Sequence, residues 1–149
     1  MNTQKLNLEF LKLFHRYNFY DRHQGLILHF NELLDENDPH YLTPFYSLTI
    51  QEKHLSSPNV CHGGVLSGMM DSTLGLSALF AASREEKVCA TVEFKINFLQ
   101  PVFANDTLRA NAKMISQGRQ LCYLECEIRN SHDTLVAKAA STCKILSER

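Results

Sequence analysis

Apolar and polar positions along this chain change their period between segments, and each change marks a new element. Leu6, Phe10, Leu13, Phe14 and Tyr17 recur at helical spacing, so residues 5–17 predict an amphipathic helix within an N-terminal extension over about 1–20. Residues 26–34 and 43–51 predict strands. In the second, Tyr46, Leu48 and Ile50 alternate with Ser47, Thr49 and Gln51, and Asp35 to His40 supplies the turn residues between the two. From Gly63 to Ser83 the chain is apolar on nearly every side, which predicts a helix enclosed by other protein. Val88, Ala90, Val92, Phe94, Ile96 and Phe98 then alternate strictly through residues 87–99, a half-buried strand ended by Gln100-Pro101. Strands over 107–116, 120–129 and 134–146 follow as a meander, joined at Gln117-Gly118-Arg119 and Asn130-Ser131-His132-Asp133. These elements make an α+β arrangement, an antiparallel sheet wrapped around one long central helix. Its free edges and partly uncovered helix predict an obligate homodimer or a dimer of dimers.

Composition narrows the class. A chain of 149 residues with 44% hydrophobic content predicts one domain over 1–149, large enough for a real core. Fifteen basic and sixteen acidic residues lie without blocks of like charge, so no nucleic-acid partner is expected. The five cysteines, Cys61, Cys89, Cys122, Cys126 and Cys143, are odd in number, with no Cys-x-x-Cys pair and no signal peptide. They argue against a disulfide framework or a zinc knuckle, predict no metal site, and make the cytoplasm the expected compartment. The apolar run has the length of a membrane span of roughly 20 residues. Gly63, Gly64, Ser67, Gly68, Asp71, Ser72, Thr73, Gly75 and Ser77 dilute it, and no basic flank accompanies it, so a core helix is expected and no membrane partner.

Asp71 is the single charge between Gly63 and Ser83. Burying a lone carboxylate costs several kcal/mol unless it is paired, so it is either satisfied structurally or used chemically. The segment His62-Gly63-Gly64-Val65-Leu66-Ser67-Gly68-Met69-Met70-Asp71, followed by Thr91-Val92-Glu93-Phe94-Lys95-Ile96-Asn97-Phe98-Leu99-Gln100-Pro101, resembles the hotdog-fold acyl-CoA thioesterases of the phenylacetic-acid-degradation (PaaI) type. The likeness covers about residues 40–146.

That resemblance implies hydrolysis of an acyl-CoA thioester without a cofactor. It makes the Gly63 N–H the oxyanion donor, at a helix start where Gly64 also lets the backbone approach a ligand. Asp71 takes the role of general base on water, or of nucleophile forming a mixed anhydride. Nine residues at about 100° each put Asp71 on the opposite side of the helix from His62. In similar enzymes the carboxylate accordingly faces the glycine amide of a second subunit. Thr91, ten residues before Pro101, matches the Ser or Thr that holds the attacking water. His62 resembles a catalytic base and counts among the catalytic candidates, although in this family the histidine mostly orders the loop by hydrogen bonding.

Two positions depart from the family pattern. Ser56 stands where relatives often carry an Asn that polarises the thioester carbonyl, and Asn59 where they carry a Gly. Asn59 can adopt the left-handed conformation, whereas Ser56 offers a single short donor. The acyl pocket is expected from Met69, Met70, Leu74, Phe94 and Phe98. Rival readings are a hotdog dehydratase or hydratase, whose signature is not found, and a non-catalytic acyl-CoA-binding protein, which would dispense with Asp71. A helix-turn-helix regulator is excluded by the short, weakly basic N-terminal segment.

Overall fold

The computed structural model describes residues 3–31, 43–83 and 87–146. Helix α1 spans Thr3–Tyr17 and a short α2 spans Phe19–Gln24. Strands β1 (Ile27–Phe30) and β2 (Pro44–Thr49) lead to a hairpin of β3 (Leu55–Ser57) and β4 (Val60–Cys61). Helix α3 (Gly63–Ser83) and strands β5 (Val88–Phe98), β6 (Thr107–Gln117), β7 (Leu121–Arg129) and β8 (Leu135–Leu146) complete the fold. Six strands form one antiparallel sheet in the order β1-β2-β6-β7-β8-β5, with β1 and β5 at its edges. Of the predicted strand over 26–34, β1 takes Ile27–Phe30, while residues 32–34 and the Asp35–His40 turn lie outside the described residues.

The sheet wraps α3, which touches β2, β5, β6, β7 and β8. Met69, Met70 and Leu74 of the helix are buried with Leu48, Leu108, Leu124 and Ile128 of the strands. Truncating any such side chain to Ala costs about 2–5 kcal/mol. By length and composition Gly63–Ala82 could cross a membrane, at a mean hydropathy of 1.3, but 56% of that window is buried within this fold. Its small hydrophobic asymmetry is what a helix clasped by a sheet needs.

Two expectations about facing are corrected. The helical periodicity of α1 predicts a buried stripe, yet among its described side chains Leu11 is the buried one, while Phe10, Leu13, Phe14 and Tyr17 are all 40–63% exposed. In β5 the strict alternation predicts one inward face from Val88 to Phe98. A β-bulge between Thr91 and Glu93 shifts the register against β8, so Cys89 and Thr91 reach α3 before it, and Phe94 and Ile96 pack on the core after it. Val88, Val92 and Phe98 are left exposed.

The N-terminal helices are fastened by polar contacts. Asn18 caps α2, its side-chain oxygen accepting the Asp21 N–H at 3.2 Å, and Gly25 closes the helix at φ +85°. Asp21, only 1% exposed, accepts hydrogen bonds from Asn18 Nδ2 (2.8 Å), Tyr46 Oη (2.6 Å) and Ser72 Oγ (2.5 Å). Buried His54 accepts the Gln51 N–H at Nδ1 (2.9 Å) and lies 2.9 Å through Nε2 from the Gln24 carbonyl, which fixes a neutral ring with its proton on Nε2. Burial lowers the His54 pKa, as it does that of His15, whose Nδ1 meets Tyr46 Oη.

Candidate active site

Helix α3 begins at the paired glycines. The His62 ring caps this end, Nδ1 accepting the Gly64 N–H at 2.8 Å, and the His62 carbonyl accepts the Val65 N–H at 2.9 Å. The His62 N–H in turn donates to the His54 carbonyl at 2.8 Å. The Nδ1 lone pair of His62 is thus spent on the backbone of its own loop. Gly63, first in the helix, keeps an amide with no intrahelical acceptor. The Phe98 ring lies against it, so that a Cβ at Gly63 would stand 3.2 Å from Phe98 Cζ. Gly63, Leu66, Phe98 and Pro101 line a cavity of about 380 Å³.

Asp71 lies two turns further on. The sheet does not cover this side of α3, so the carboxylate is half-buried rather than sealed in the core as the apolar run suggests. Thr91 Oγ1, delivered by the β5 bulge, donates to Asp71 Oδ1 at 3.0 Å. Two cavities meet Asp71: one of about 400 Å³ shared with Thr91, Gly75 and Phe14, and one of about 260 Å³ shared with Tyr20, Gly68 and Phe94. Burial, then Asp21, then Asp71 raise the pKa of the Tyr20 hydroxyl, which remains a neutral phenol.

The predicted residues thus divide into groups. Asp71, Thr91 and Phe94 come together, and Gly63, Gly64, His62 and Phe98 gather at the helix start. Met70, expected to contact substrate, is fully buried against the sheet with Met69 and Leu74, and none of the three lines any of these cavities. They pack on the middle of the sheet, whereas Asp71 meets its β5 edge. Ser56 and Asn59 belong to the β3–β4 hairpin, where Ser56 Oγ donates to the Val60 carbonyl at 3.4 Å and Asn59 adopts φ 69°, the left-handed turn expected of it. Tyr20 and Asp21 were not expected at the site. The Asn18-x-x-Asp21 spacing is an N-cap pattern that marks their helix.

Burial disfavours the reactive thiolate at both cysteines beside these cavities. Burial pushes the Cys61 thiol up to about 11 and the Cys89 thiol up to about 12, and each donates weakly to a carbonyl, of His62 and Gly75, at 3.6 Å. Among the described residues no group of three His, Cys, Asp or Glu side chains converges to hold a metal.

The profile of the thioesterase superfamily matches residues 58–137, which include Gly63, Asp71 and Thr91. A putative esterase of Archaeoglobus fulgidus is 27% identical over 68% of this chain and 63% of its own length. The acyl-coenzyme A thioesterase PaaI of Escherichia coli is 31% identical over 61% of this chain and 62% of its own. The chain thus spans less than two thirds of either relative. The solved E. coli PaaI structure superposes with a TM-score of 0.77 at 20% identity, covering 97% of this chain and 94% of that one. A hypothetical thioesterase of Streptococcus pneumoniae with coenzyme A gives 0.65 at 24% identity, over 71% and 80%. Both share the fold of an antiparallel sheet around a long helix.

Proposed function

This chain belongs to the thioesterase superfamily, and from that premise we propose that it hydrolyses an acyl-CoA thioester at a site shared between two copies of itself. The single observation that carries this reading is the placement of its two chemical groups on one helix. Gly63 and Asp71 are eight residues apart in α3, about 12 Å along its axis. They line cavities with no residue in common. An oxyanion donor and a base must both lie about 3 Å from one reacting centre, so a single chain does not unite them. A second copy related by a two-fold axis does, placing the partner's Gly63 opposite Asp71. The exposed edge of β5, with Val92 outward, supplies a surface along which two sheets can continue into one.

In this arrangement the Thr91 hydroxyl holds Asp71 Oδ1 and leaves Oδ2 to accept a proton from water. The water oxygen attacks the thioester carbon, and charge on the carbonyl oxygen is met by the partner's Gly63 N–H at the positive end of a helix. Collapse of the tetrahedral intermediate breaks the C–S bond. The thiolate leaves and takes the proton back from Asp71, so one water and one thioester yield one carboxylic acid and one thiol. Coenzyme A as the carrier rests on the PaaI relative and on the coenzyme A bound to the streptococcal neighbour.

A thiol-release assay over acetyl-, octanoyl- and phenylacetyl-CoA tests the reading. Wild type releases thiol, and Asp71→Asn lowers kcat by about 10²–10⁴. Silence of wild type towards all three substrates, or undiminished turnover by Asp71→Asn, overturns it.

A further inference from the structure

The exposed aromatic stripe of α1 has an address. Phe10 and Phe14, 40% and 44% exposed, face Leu76 and Leu79 of α3 and Val88 of β5 across the cavity of about 400 Å³ that also contains Asp71 and Thr91. An apolar cavity of roughly 150 Å³ suffices to take up benzene, so this one has room for an aryl ring or a medium-length chain. Gly75 lies in its wall, and a Cβ added there would meet nothing within 4 Å. Tyr20, on α2, lines both cavities that meet Asp71. Its ring is seated on Gly68, where an added Cβ would collide with the hydroxyl and lie 2.8 Å from Cζ. A glycine at that position is what lets the hydroxyl end of Tyr20 approach α3 beside Asp71.

The charge pattern decides what kind of group fits. Both carboxylates in the wall repel an acidic acyl group. Asp21 already accepts three side-chain hydrogen bonds, so it offers no free oxygen to a cationic or hydroxylated one. Asn18, Ser72, Thr91 and Cys89 add small polar groups, and the rest of the wall, from Phe10, Phe14, Tyr20, Leu76, Leu79 and Val88, is aromatic and aliphatic.

We propose that this cavity receives a large, uncharged apolar acyl group, and that Phe10, Phe14 and Tyr20 of the N-terminal helices set the acyl specificity. The proposal rests on the thioesterase reading for the identity of the ligand, but not for the shape of the pocket. It gives the helices ahead of the sheet a place in the site rather than a decorative role.

The test separates the two. S-octyl-CoA and S-methyl-CoA are thioethers that cannot be hydrolysed, and calorimetric titration of each gives a ratio of affinities independent of turnover. Wild type is expected to favour the octyl compound by about tenfold or more, from burial of its extra methylenes. Gly75→Leu fills the cavity with a better helix former, keeping the fold, and brings that ratio down to about one. Phe14→Ala or Tyr20→Ala, at exposed positions, lowers the ratio about three- to tenfold by removing one wall. In parallel turnover, the same variants raise KM for octanoyl-CoA more than for acetyl-CoA. A wild-type ratio near one, or ratios unmoved by both Gly75→Leu and Phe14→Ala, overturns the proposal; so does a change in oligomer mass with an unmoved ratio, which assigns the cavity to a second copy of the chain. An octyl preference without thiol release sinks the hydrolase reading and leaves the pocket standing.

Discussion

Mixing two crippled variants should restore activity if each site draws on two chains. The variants are Asp71→Asn, which removes the base, and Gly63→Val, which puts a branched side chain where a Cβ alone would already stand 3.2 Å from Phe98 Cζ. Each alone should lose activity, the first by about 10²–10⁴ and the second by about 10²–10³. Unfolding the two together in equal amounts and refolding them makes half of the dimers hybrid, by random pairing. In a hybrid, one site combines the asparagine with the valine, and the other combines an intact Asp71 with an intact Gly63. One site in two works in one dimer in two, so the refolded mixture recovers about one quarter of the wild-type rate. Thiol release measures the rate, and native mass spectrometry counts the hybrids. The axial separation of about 12 Å between the two groups is what drives this expectation. If hybrids form and the mixture stays at the average of its parents, the site lies within one chain and the two-copy reasoning fails.

Other consequences are open to simpler measurements. Thr91→Val removes the 3.0 Å bond to Asp71 and should lower kcat about tenfold or more while leaving the fold intact by circular dichroism. Tyr46→Phe deletes the 2.6 Å bond to buried Asp21, worth about 2 kcal/mol for a charged acceptor, and should lower Tm by about 4–8 °C; an unchanged Tm refutes the role assigned to that bond. Because burial lowers the pKa of His54 below its unfolded value, the unfolded chain binds the extra proton first as pH falls. The stability His54 contributes is therefore fully present above about pH 6.5 and is lost on acidification through its folded pKa. His54→Asn should flatten the Tm profile between about pH 7.5 and 5.5. Single turnover in ¹⁸O-water should place the label in the released acid and none in Asp71, and label in Asp71 would replace the base by a nucleophile.

What the sequence disclosed depended on how far each feature reaches. Helix α3 was legible to the residue, because Gly63 and Ser83 bound a run whose single charge is Asp71. The meander of β6, β7 and β8 was legible within a residue or so, since turn residues punctuate long strands. The β5 bulge was not: alternation from Val88 to Phe98 continues unbroken through it, and only pairing with β8 reveals that Thr91 and Phe94 look the same way. Helix α2, at six residues, is too short to display a period, so Tyr20 and Asp21 stayed out of view. Burial of Asp71 was overestimated for a related reason. Periodicity shows that a helix is apolar all round, but not which flank a one-sided sheet leaves open.

Besides the buried Leu11 and the Tyr20 ring on Gly68, the N-terminal helices meet the rest of the protein through small polar clasps, among them Asp21 with Tyr46 and Ser72, His54 with the Gln24 carbonyl, and His15 with Tyr46. Clasps of this kind fix where a segment sits without dictating the residues between them. Positions 10, 13, 14, 17, 19 and 20 can therefore drift in descendants of this gene with little penalty to folding. Diet, in effect, is written on a different page from digestion: selection can revise what enters the cleft while leaving the reactive helix untouched, and grafting residues 9–25 between relatives becomes a rational way to move substrate preference from one scaffold to another.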